Sequence, residues 1–320
     1  KISESKSHIQ SLVHGPSLQG HKITNSLCEY LTLAAKEKTK GICFVNEEGG
    51  EYFYSYSSLL NDAKKVLNGL HASGISAKDV VLLQVGDQQS MLVIFWACVL
   101  GGIIPLPMSP LFNEDPKSSQ AVKLLSSWEV LERPGVVSDK KTSEILKSIL
   151  PAGGKGCLIS AEDLRYFDPV ESLPKENEED IALLLLTSGS TGSPKIVTQT
   201  HKALTYRSYA AALMNEFNRE DIFLNWFPLD HVGGIVMFHI QAVAVMANQV
   251  QAAMGKILHN PLEWLNLIEK HKATVTWAPN FAYGLVNKAV TQSPDQKWNL
   301  STMRFILNGG EAISSEQALL

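Results

Sequence analysis

The sequence predicts an α/β protein in which two doubly wound parallel-sheet units follow one another along the chain. Three observations favour this architecture. Apolar runs of strand length alternate with helical patterns, an acidic stretch at 168–180 separates two such series, and the run at 181–186 is followed by a loop rich in glycine and hydroxyl groups. The expected divisions are an extended segment at 1–20, a first α/β unit at 21–175 and a second at 176–320.

The composition fits a protein with a large buried core. The 320 residues are 45% hydrophobic, and 28 lysines and arginines stand against 32 acidic residues, which gives a net charge of −4. No basic cluster contains interleaved aromatic residues, so a nucleic-acid partner is not expected. The four cysteines are far apart, and no cysteine or histidine pair has metal-ligand spacing, so neither a disulfide framework nor a metal site is predicted.

The first series begins with an amphipathic helix from residue 25 or 26 to about residue 38. A hairpin of strands at 42–45 and 52–54 follows it, and Ser57 is expected to cap the next helix. The predicted strands after that helix are 80–85, 103–106, 135–138 and 157–159, and the predicted helices are 88–100, 118–131 and 142–149.

The stretch at 91–108 is apolar and long enough to resemble a membrane span. Glycines at 101 and 102 and prolines at 105 and 107 interrupt it, and no basic flank follows. We therefore expect a buried helix, a tight turn and a buried strand, without a membrane partner.

The second series repeats the alternation of strands and helices after the acidic stretch. Helices are predicted at 201–214, 234–247, 261–271 and 280–290, and strands at 222–227, 250–253, 273–277 and 303–307.

The apolar run at 181–186 leads into the segment that is expected to carry the chemistry. A buried parallel strand that feeds a glycine-containing loop is typical of a phosphate site, because bare backbone lets several N–H groups converge on one anion. Hydroxyl groups add neutral donors and a lysine adds the full charge, which suits a polyphosphate. The predicted cofactor-binding residues are Thr187, Ser188, Gly189, Ser190, Thr191, Gly192 and Lys195, and Lys195 is also predicted to be catalytic.

Three other interpretations of this loop fit less well. A Walker A loop has Gly-Lys before serine or threonine at the start of a helix, whereas Pro194 precedes Lys195 here and a β-branched pair follows. No Gly-x-Gly-x-x-Gly sequence follows a predicted strand, which argues against a dinucleotide fingerprint. A flexible linker remains as the alternative, but linkers seldom lie between a leucine run and a proline–lysine pair.

On this motif the chain resembles the adenylate-forming enzymes, which include acyl- and aryl-CoA ligases, luciferases and the adenylation domains of nonribosomal peptide synthetases. Their Thr-Ser-Gly-[Ser/Thr]-Thr-Gly-x-Pro-Lys signature matches residues 187–195 at every fixed position. One departure is Ile196, where the family usually has glycine, and we expect it to alter loop mobility more than chemistry. The resemblance implies the two parallel-sheet subdomains of the family's large domain, truncated before its C-terminal part and its catalytic-lysine lid, so we expect residues 1–320 alone to be inactive.

A second cluster, at 227–234, lies where a strand gives way to a helix, which is where open α/β sheets collect ligands. By itself, a lone histidine here is as often structural as functional. In relatives that activate non-amino acids a Pro-x-x-His sequence stands at this point, so the resemblance implies that His231 is catalytic and lines the acyl pocket with Val232 and Gly233. Val232 then takes the place of the aspartate that binds a substrate ammonium. In the alternative alignment, Asp230 binds an amino group.

Two further strand ends complete the predicted site. The resemblance assigns the turn of Gly309, Gly310 and Glu311 to the adenine pocket, although the residues alone would indicate only a turn that ends a strand. By position in the family, Asn280 and Phe281 lie near the acyl pocket, and aromatic core packing is the alternative for this segment.

The resemblance thus implies a ligase that uses ATP and Mg²⁺ to activate a carboxylic acid without an α-amino group: an α-keto, α-hydroxy, aryl or fatty acid. The acyl-adenylate would pass its acyl group to the thiol of a carrier-protein phosphopantetheine arm or of coenzyme A. The alternatives are an amino-acid-activating domain that uses Asp230 and a non-catalytic homologue. The scattered cysteines fit a reducing cytoplasm. Because the chain begins at Lys1 without a signal segment, we expect it to belong to something longer.

Overall fold

The computed structural model describes residues 15, 17, 18, 20–151, 158–187 and 195–315. Its first half alternates helices and strands as the hydrophobic pattern predicts. In chain order the elements are α1 (Leu27–Ala34), β1 (Gly41–Val45), β2 (Glu51–Ser55), α2 (Tyr56–Ala72), β3 (Val80–Gln84), α3 (Gln88–Leu100), β4 (Ile104–Pro107), α4 (Ser119–Val130), β5 (Gly135–Ser138), α5 (Lys140–Ile149), β6 (Leu158–Ser160) and a 3₁₀ turn (Asp163–Tyr166).

The second half also alternates strands and helices, and one of its helical segments is a π-helix. The elements are β7 (Ile181–Thr187), β8 (Lys195–Thr200), α6 (His201–Asn215), β9 (Ile222–Asn225), the π-helix (Gly233–Ile240), α7 (Gln241–Ala244), β10 (Asn248–Ala252), α8 (Met254–His259), α9 (Leu262–His271), β11 (Val275–Ala278), α10 (Asn280–Thr291) and β12 (Phe305–Asn308).

Two sheets of the described chain confirm the predicted α/β class with parallel sheets. One has four parallel strands in the order β4-β3-β5-β6, and the other has six strands in the order β12-β11-β9-β10-β1-β2. In the six-stranded sheet only the edge strand β2 is antiparallel, and it pairs with β1 as the predicted hairpin. Because parallel neighbours end at the same sheet edge, the carboxyl ends of β9, β11 and β12 meet on one side.

The strands do not follow the expected division after residue 175. β1 and β2 come from the first half of the chain but belong to the six-stranded sheet, where β1 pairs in parallel with β10. β4 of the other sheet packs beside β7 of the second half. The six-stranded sheet therefore contains strands from both halves of the chain, and the four-stranded sheet of the first half packs against a strand of the second half.

The prediction of a parallel strand at 181–186 is wrong in its direction. β7 is the expected apolar strand, but it pairs antiparallel with β8 in a separate two-stranded sheet. The reason is the short connection, since parallel strands require a crossover of a dozen or more residues. Ile196, at the position where the family has glycine, lies in β8 opposite Leu186 and packs against a hydrophobic core.

Helix α3 begins and ends where the sequence predicts. The Asp87 side chain accepts a hydrogen bond from the backbone N–H of Ser90 at 2.8 Å, and the helix ends at Gly101. Every residue from Met91 to Leu100 is buried. This confirms the expected buried helix, glycine turn and strand β4.

None of the helices in the described ranges combines the length and the apolar character needed to cross a membrane.

Two local predictions are wrong. The cap of α2 is Ser55 rather than Ser57: the Ser55 hydroxyl accepts a hydrogen bond from the backbone N–H of Ser58 at 3.0 Å. Helix α2 therefore starts immediately after strand β2, two residues earlier than the cap at Ser57 implied. The predicted helix at 234–247 is a π-helix followed by the short α7, because its wider turns carry an extra residue that a 3.6-residue pattern does not show.

Candidate functional site

A cavity of about 510 Å³ lies where strands β4 and β7 end. Its volume falls in the range of about 300–1,000 Å³ that is typical of small-molecule pockets. Its walls come from the end of β4, the start of α4, strands β7 and β8, and the segment before the π-helix. The lining residues are Pro107, Met108, Ser109, Ser119, Gln120, Lys123, Leu185, Leu186, Thr187, Val197, Gln199, Asp230, His231 and Val232.

Thr187 and Lys195 stand at the two ends of the predicted phosphate loop. They are paired directly across the β7–β8 ladder, and Thr187 also lines the cavity. Lys195 is exposed. The loop residues predicted to bind phosphate between them, Ser188, Gly189, Ser190, Thr191 and Gly192, lie outside the described residues. The described strands therefore place the start and the end of the loop side by side, with its start at the cavity.

His231 lies at the cavity with a defined hydrogen-bonding state. Its Nδ1 atom accepts a hydrogen bond from the backbone N–H of Gly233 at 3.2 Å, so the neutral ring carries its proton on Nε2. The ring is stacked on the indole of Trp277, with centroids 6.1 Å apart and an angle of 16° between the planes. His231 thus presents a donor from a ring that its neighbours hold in place.

Trp277 is itself fixed by a buried amide. Its Nε1–H donates to Oδ1 of Asn225 at 2.9 Å, and Nδ2 of Asn225 donates to Oε1 of Gln251 at 3.0 Å. These three residues belong to neighbouring strands β11, β9 and β10 of the six-stranded sheet. Gly233 lies against the same indole, where an added side chain would overlap the ring.

Asp230 also lines the cavity, and its carboxylate already has one partner. Oδ2 accepts a hydrogen bond from the Ser109 hydroxyl, which follows the end of β4. Val232 is 42% exposed and supplies an apolar surface two residues further along the same wall. The wall therefore offers an engaged carboxylate and a free apolar side chain within three consecutive residues.

The remaining predicted site residues form a second group at the ends of β11 and β12. The backbone N–H of Phe281, in the first turn of α10, donates to Oε1 of Glu311 at 2.6 Å, which places a carboxylate at the positive end of a helix. Oδ1 of Asn280 accepts hydrogen bonds from the Asn308 side chain and the backbone of Ser314, both at 3.2 Å. The turn after β12 is thus tied to the start of α10.

Gly309 and Gly310 leave this turn open. A Cβ atom at either position would meet no heavy atom within 4 Å, and Gly310 has a φ of +92°, which favours glycine. The exposed backbone gives a flat ligand room to approach.

Aromatic rings connect the second group with the cavity. Phe281 contacts Phe227 edge-on at 6.3 Å, Phe227 contacts Trp277 at 4.9 Å, and Trp277 stacks on His231. Within the described residues, the cavity lining includes Thr187, His231 and Val232 of the predicted set. It does not include Lys195, Gly233, Asn280, Phe281 or the turn at 309–311. The predicted site thus forms two groups that share one aromatic layer.

Sequence reasoning missed the walls that come from β4 and α4. Ser109, Ser119, Gln120 and Lys123 line the cavity, yet no motif contains them. A usable signal was present for Ser109, because it follows the end of a parallel strand, as the predicted site residues do. The signal for α4 was absent, since only tertiary packing brings its start to the cavity wall that β7 and β8 form.

The comparisons with known proteins agree with this geometry. A family model described as AMP-binding enzyme matches residues 31–319. Microperfuranone synthase of Emericella nidulans is 31% identical over 295 residues, which cover 83% of this chain and 30% of that protein.

Two solved structures are similar over almost the whole chain. McyG A-PCP complexed with phenylalanyl-adenylate superposes with a TM-score of 0.91 at 36% identity, over 96% of this chain and 55% of that one. The adenylation domain of a keto acid-selecting nonribosomal peptide synthetase module, bound to keto acyl adenylate, superposes with a TM-score of 0.87 at 32% identity, over 93% of this chain and 54% of that one. This chain therefore spans little more than half the length of either solved chain.

Proposed function

This chain belongs to the AMP-binding enzyme family, and we propose that the complete protein activates a carboxylic acid as an acyl-adenylate. In this reaction a carboxylate oxygen bonds to the α-phosphorus of ATP, the bond to the bridging oxygen breaks, and pyrophosphate leaves with that electron pair. The thiolate of an acceptor then bonds to the acyl carbon, and AMP leaves. Both steps need groups that neutralise developing negative charge.

The residues in and beside the cavity fit such a reaction. Lys195 and Thr187 would hold the polyphosphate from the two ends of the loop, and the Nε2–H of His231 would face the acyl group as a donor. Mg²⁺ would supply further positive charge at the phosphates. The open turn at 309–311 would accept the adenine ring, since its bare backbone leaves room for a flat ligand.

We further propose that the substrate lacks an α-amino group. The observation that carries this proposal is the pair Asp230 and Val232 on the cavity wall: the carboxylate is engaged by Ser109, and the exposed neighbour is apolar. An ammonium placed against Val232 would lose its hydration without gaining a partner. This costs roughly 3 kcal/mol, which corresponds to a discrimination against the amino acid by a factor of about 100. The similarity to a keto acid-selecting domain supports this assignment.

An amino-acid substrate is the second candidate. Asp230 has a second carboxylate oxygen that could pair with an ammonium, and the similar McyG A-PCP structure contains phenylalanyl-adenylate. The same structure includes a PCP unit, which supports a carrier-protein phosphopantetheine thiol over coenzyme A as the acceptor. We place the reaction in the cytoplasm, without nucleic acid or a membrane as a partner.

The test is ATP–pyrophosphate exchange by the complete protein with four acids that share one side chain and differ only at the α-carbon: keto, hydroxy, unsubstituted and amino. We expect exchange with at least one of the first three to exceed exchange with the amino acid by about 100-fold. A preference for the amino acid would instead indicate that Asp230 binds the α-ammonium group of the substrate. Silence with a broad panel of acids, together with no ATP binding, would favour a non-catalytic homologue.

A further inference from the structure

A cysteine, a glutamate and a histidine meet on the six-stranded sheet, away from the cavity lining. Cys43 lies in β1, Glu51 in β2, and His271 is the last residue of α9. One ligand atom from each side chain, a sulfur, a carboxylate oxygen and a ring nitrogen, lies within 4.8 Å of the other two. The three residues are 8 and 220 positions apart in sequence, so no spacing motif reveals them.

The strand register explains how the first two side chains share a face. In the β1–β2 ladder Val45 is opposite Glu51 and Cys43 is opposite Phe53, so all four side chains project from the same side of the sheet. Val45 belongs to the hydrophobic core that also contains Leu267 and Ile268 of α9. Packing of α9 on this face therefore brings its C-terminal residue to the hairpin.

The cluster already contains a charged network. Oε1 of Glu51 lies 3.1 Å from Nε2 of His271 and 2.9 Å from Nζ of Lys270. The Glu51 and His271 side chains are only 22% and 16% exposed, whereas Lys270 is 61% exposed. Lys270 can therefore leave the glutamate at little cost, while the other two side chains are held in place.

We propose that Cys43, Glu51 and His271 bind one divalent zinc-class cation, with water as a fourth ligand. Thiolate, imidazole and carboxylate are the ligand types of zinc, and zinc sites with three protein ligands keep an open fourth position. The mutual distances allow one ion to reach all three atoms after small side-chain rotations. The bound ion would link the edge hairpin to α9 and displace the ammonium of Lys270 from Glu51.

Metal binding at this site must release a proton. Burial, with the negative charge of Glu51, raises the pKa of the Cys43 thiol above its ordinary value, and Lys270 opposes that shift. Only the thiolate form of Cys43 binds a metal ion, so binding displaces the thiol proton.

The experiment is titration of the complete, metal-free protein with Co²⁺, followed by displacement with Zn²⁺. We expect one equivalent of Co²⁺ to give a thiolate-to-cobalt charge-transfer band, and Zn²⁺ to abolish that band and raise the melting temperature. Cys43→Ser should remove the band, and Glu51→Gln or His271→Asn should weaken affinity by at least about 10-fold. Lys270→Ala should strengthen binding, because it removes the competing cation.

Two matched controls separate this site from other donors. His259→Asn changes an exposed histidine at the end of α8, and Cys157→Ser changes a cysteine outside the described residues; both should keep the band. Absence of the band at one equivalent would overturn the proposal. Persistence of the band in Cys43→Ser would overturn it as well, because the thiolate would then belong to another residue.

Discussion

Gly233 lies directly against the indole of Trp277: a Cβ atom added to Gly233 would stand 2.2 Å from Cη2 of that ring. Real contacts of a Cβ atom are never this short, so one of the two residues must move if a side chain is added. The indole is held by Asn225 on one side and carries the stacked ring of His231. Because the indole of Trp277 carries the His231 ring, the position of His231 depends on the lack of a side chain at Gly233.

We expect Gly233→Ala to lower the free energy of unfolding by about 1–3 kcal/mol, the usual cost of overpacking. The substitution should also change tryptophan fluorescence, because the Trp277 indole must shift. Urea unfolding followed by fluorescence measures both effects. Gly309→Ala is the matched control, since its Cβ meets nothing within 4 Å. Equal stabilities for the two variants would contradict the packing argument.

Lys195→Ala should reduce ATP–pyrophosphate exchange by the complete protein about 100-fold, as loss of one charged donor to a developing anion usually does. The free energy of unfolding should change by less than about 0.5 kcal/mol, because the side chain is exposed. Lys147→Ala, on the exposed face of α5, should leave exchange unchanged. A Lys195 variant with full activity would refute its role at the phosphates.

Val232→Asp should reverse the substrate preference at the cavity wall. A carboxylate at this position gives an α-ammonium its missing partner, so exchange with the amino acid should rise and exchange with the native acid should fall, each by about 10-fold or more. Val232→Asn introduces a side chain of nearly the same size as aspartate but without its charge, so this variant should not admit the amino acid. If both variants behave alike, charge does not determine selection at this position.

His239 makes stability depend on pH. Complete burial lowers the pKa of its ring to about 4 from 6.5, although a hydrogen bond with Gln249 opposes the shift. Its Nε2 atom accepts a hydrogen bond from the Trp96 indole at 2.8 Å, which requires the unprotonated ring. Below pH 6.5 the unfolded chain binds a proton that the folded protein does not bind, so the free energy of unfolding should fall as the pH falls towards 4.

This difference amounts to roughly 3 kcal/mol over the interval, at about 1.4 kcal/mol per pH unit. Urea unfolding at several pH values between 7 and 4 measures it. His239→Gln should be less stable than wild type at pH 7. Its free energy of unfolding should lack the part of the pH dependence that corresponds to uptake of one proton. Parallel curves for the two proteins would show that the histidine does not titrate in this way.

The sequence predicted the elements whose limits are local. The ends of α3 were correct because Asp87 and Gly101 mark them within the chain itself. The partner of β7 could not be read in the same way, since an apolar run carries no information about the direction of its neighbour. The Ser55 cap was missed because the hairpin strand continues directly into the helix, without the loop that a cap at Ser57 assumed.

The candidate site was predictable where its residues follow strand ends and not where distant elements meet. His231, Val232 and Thr187 follow this rule and line the cavity. The first turn of α4 reaches the same cavity through tertiary packing alone, and the cluster of Cys43 and His271 arises in the same way. Where tertiary packing alone brings residues together, no spacing in the sequence shows that they are close.

The pairing of β1 with β10 has a consequence for the timing of biosynthesis. Gly41 of β1 hydrogen-bonds the side chain of Asn248, 207 positions later. At about 5–20 residues per second, a ribosome needs roughly 10 to 40 s to synthesise that interval. During this time the β1–β2 hairpin has an unpaired edge, to which other nascent chains or chaperones can bind. Synthesis rate and chaperone supply should therefore change the yield of folded protein but not the stability of the protein once it has folded.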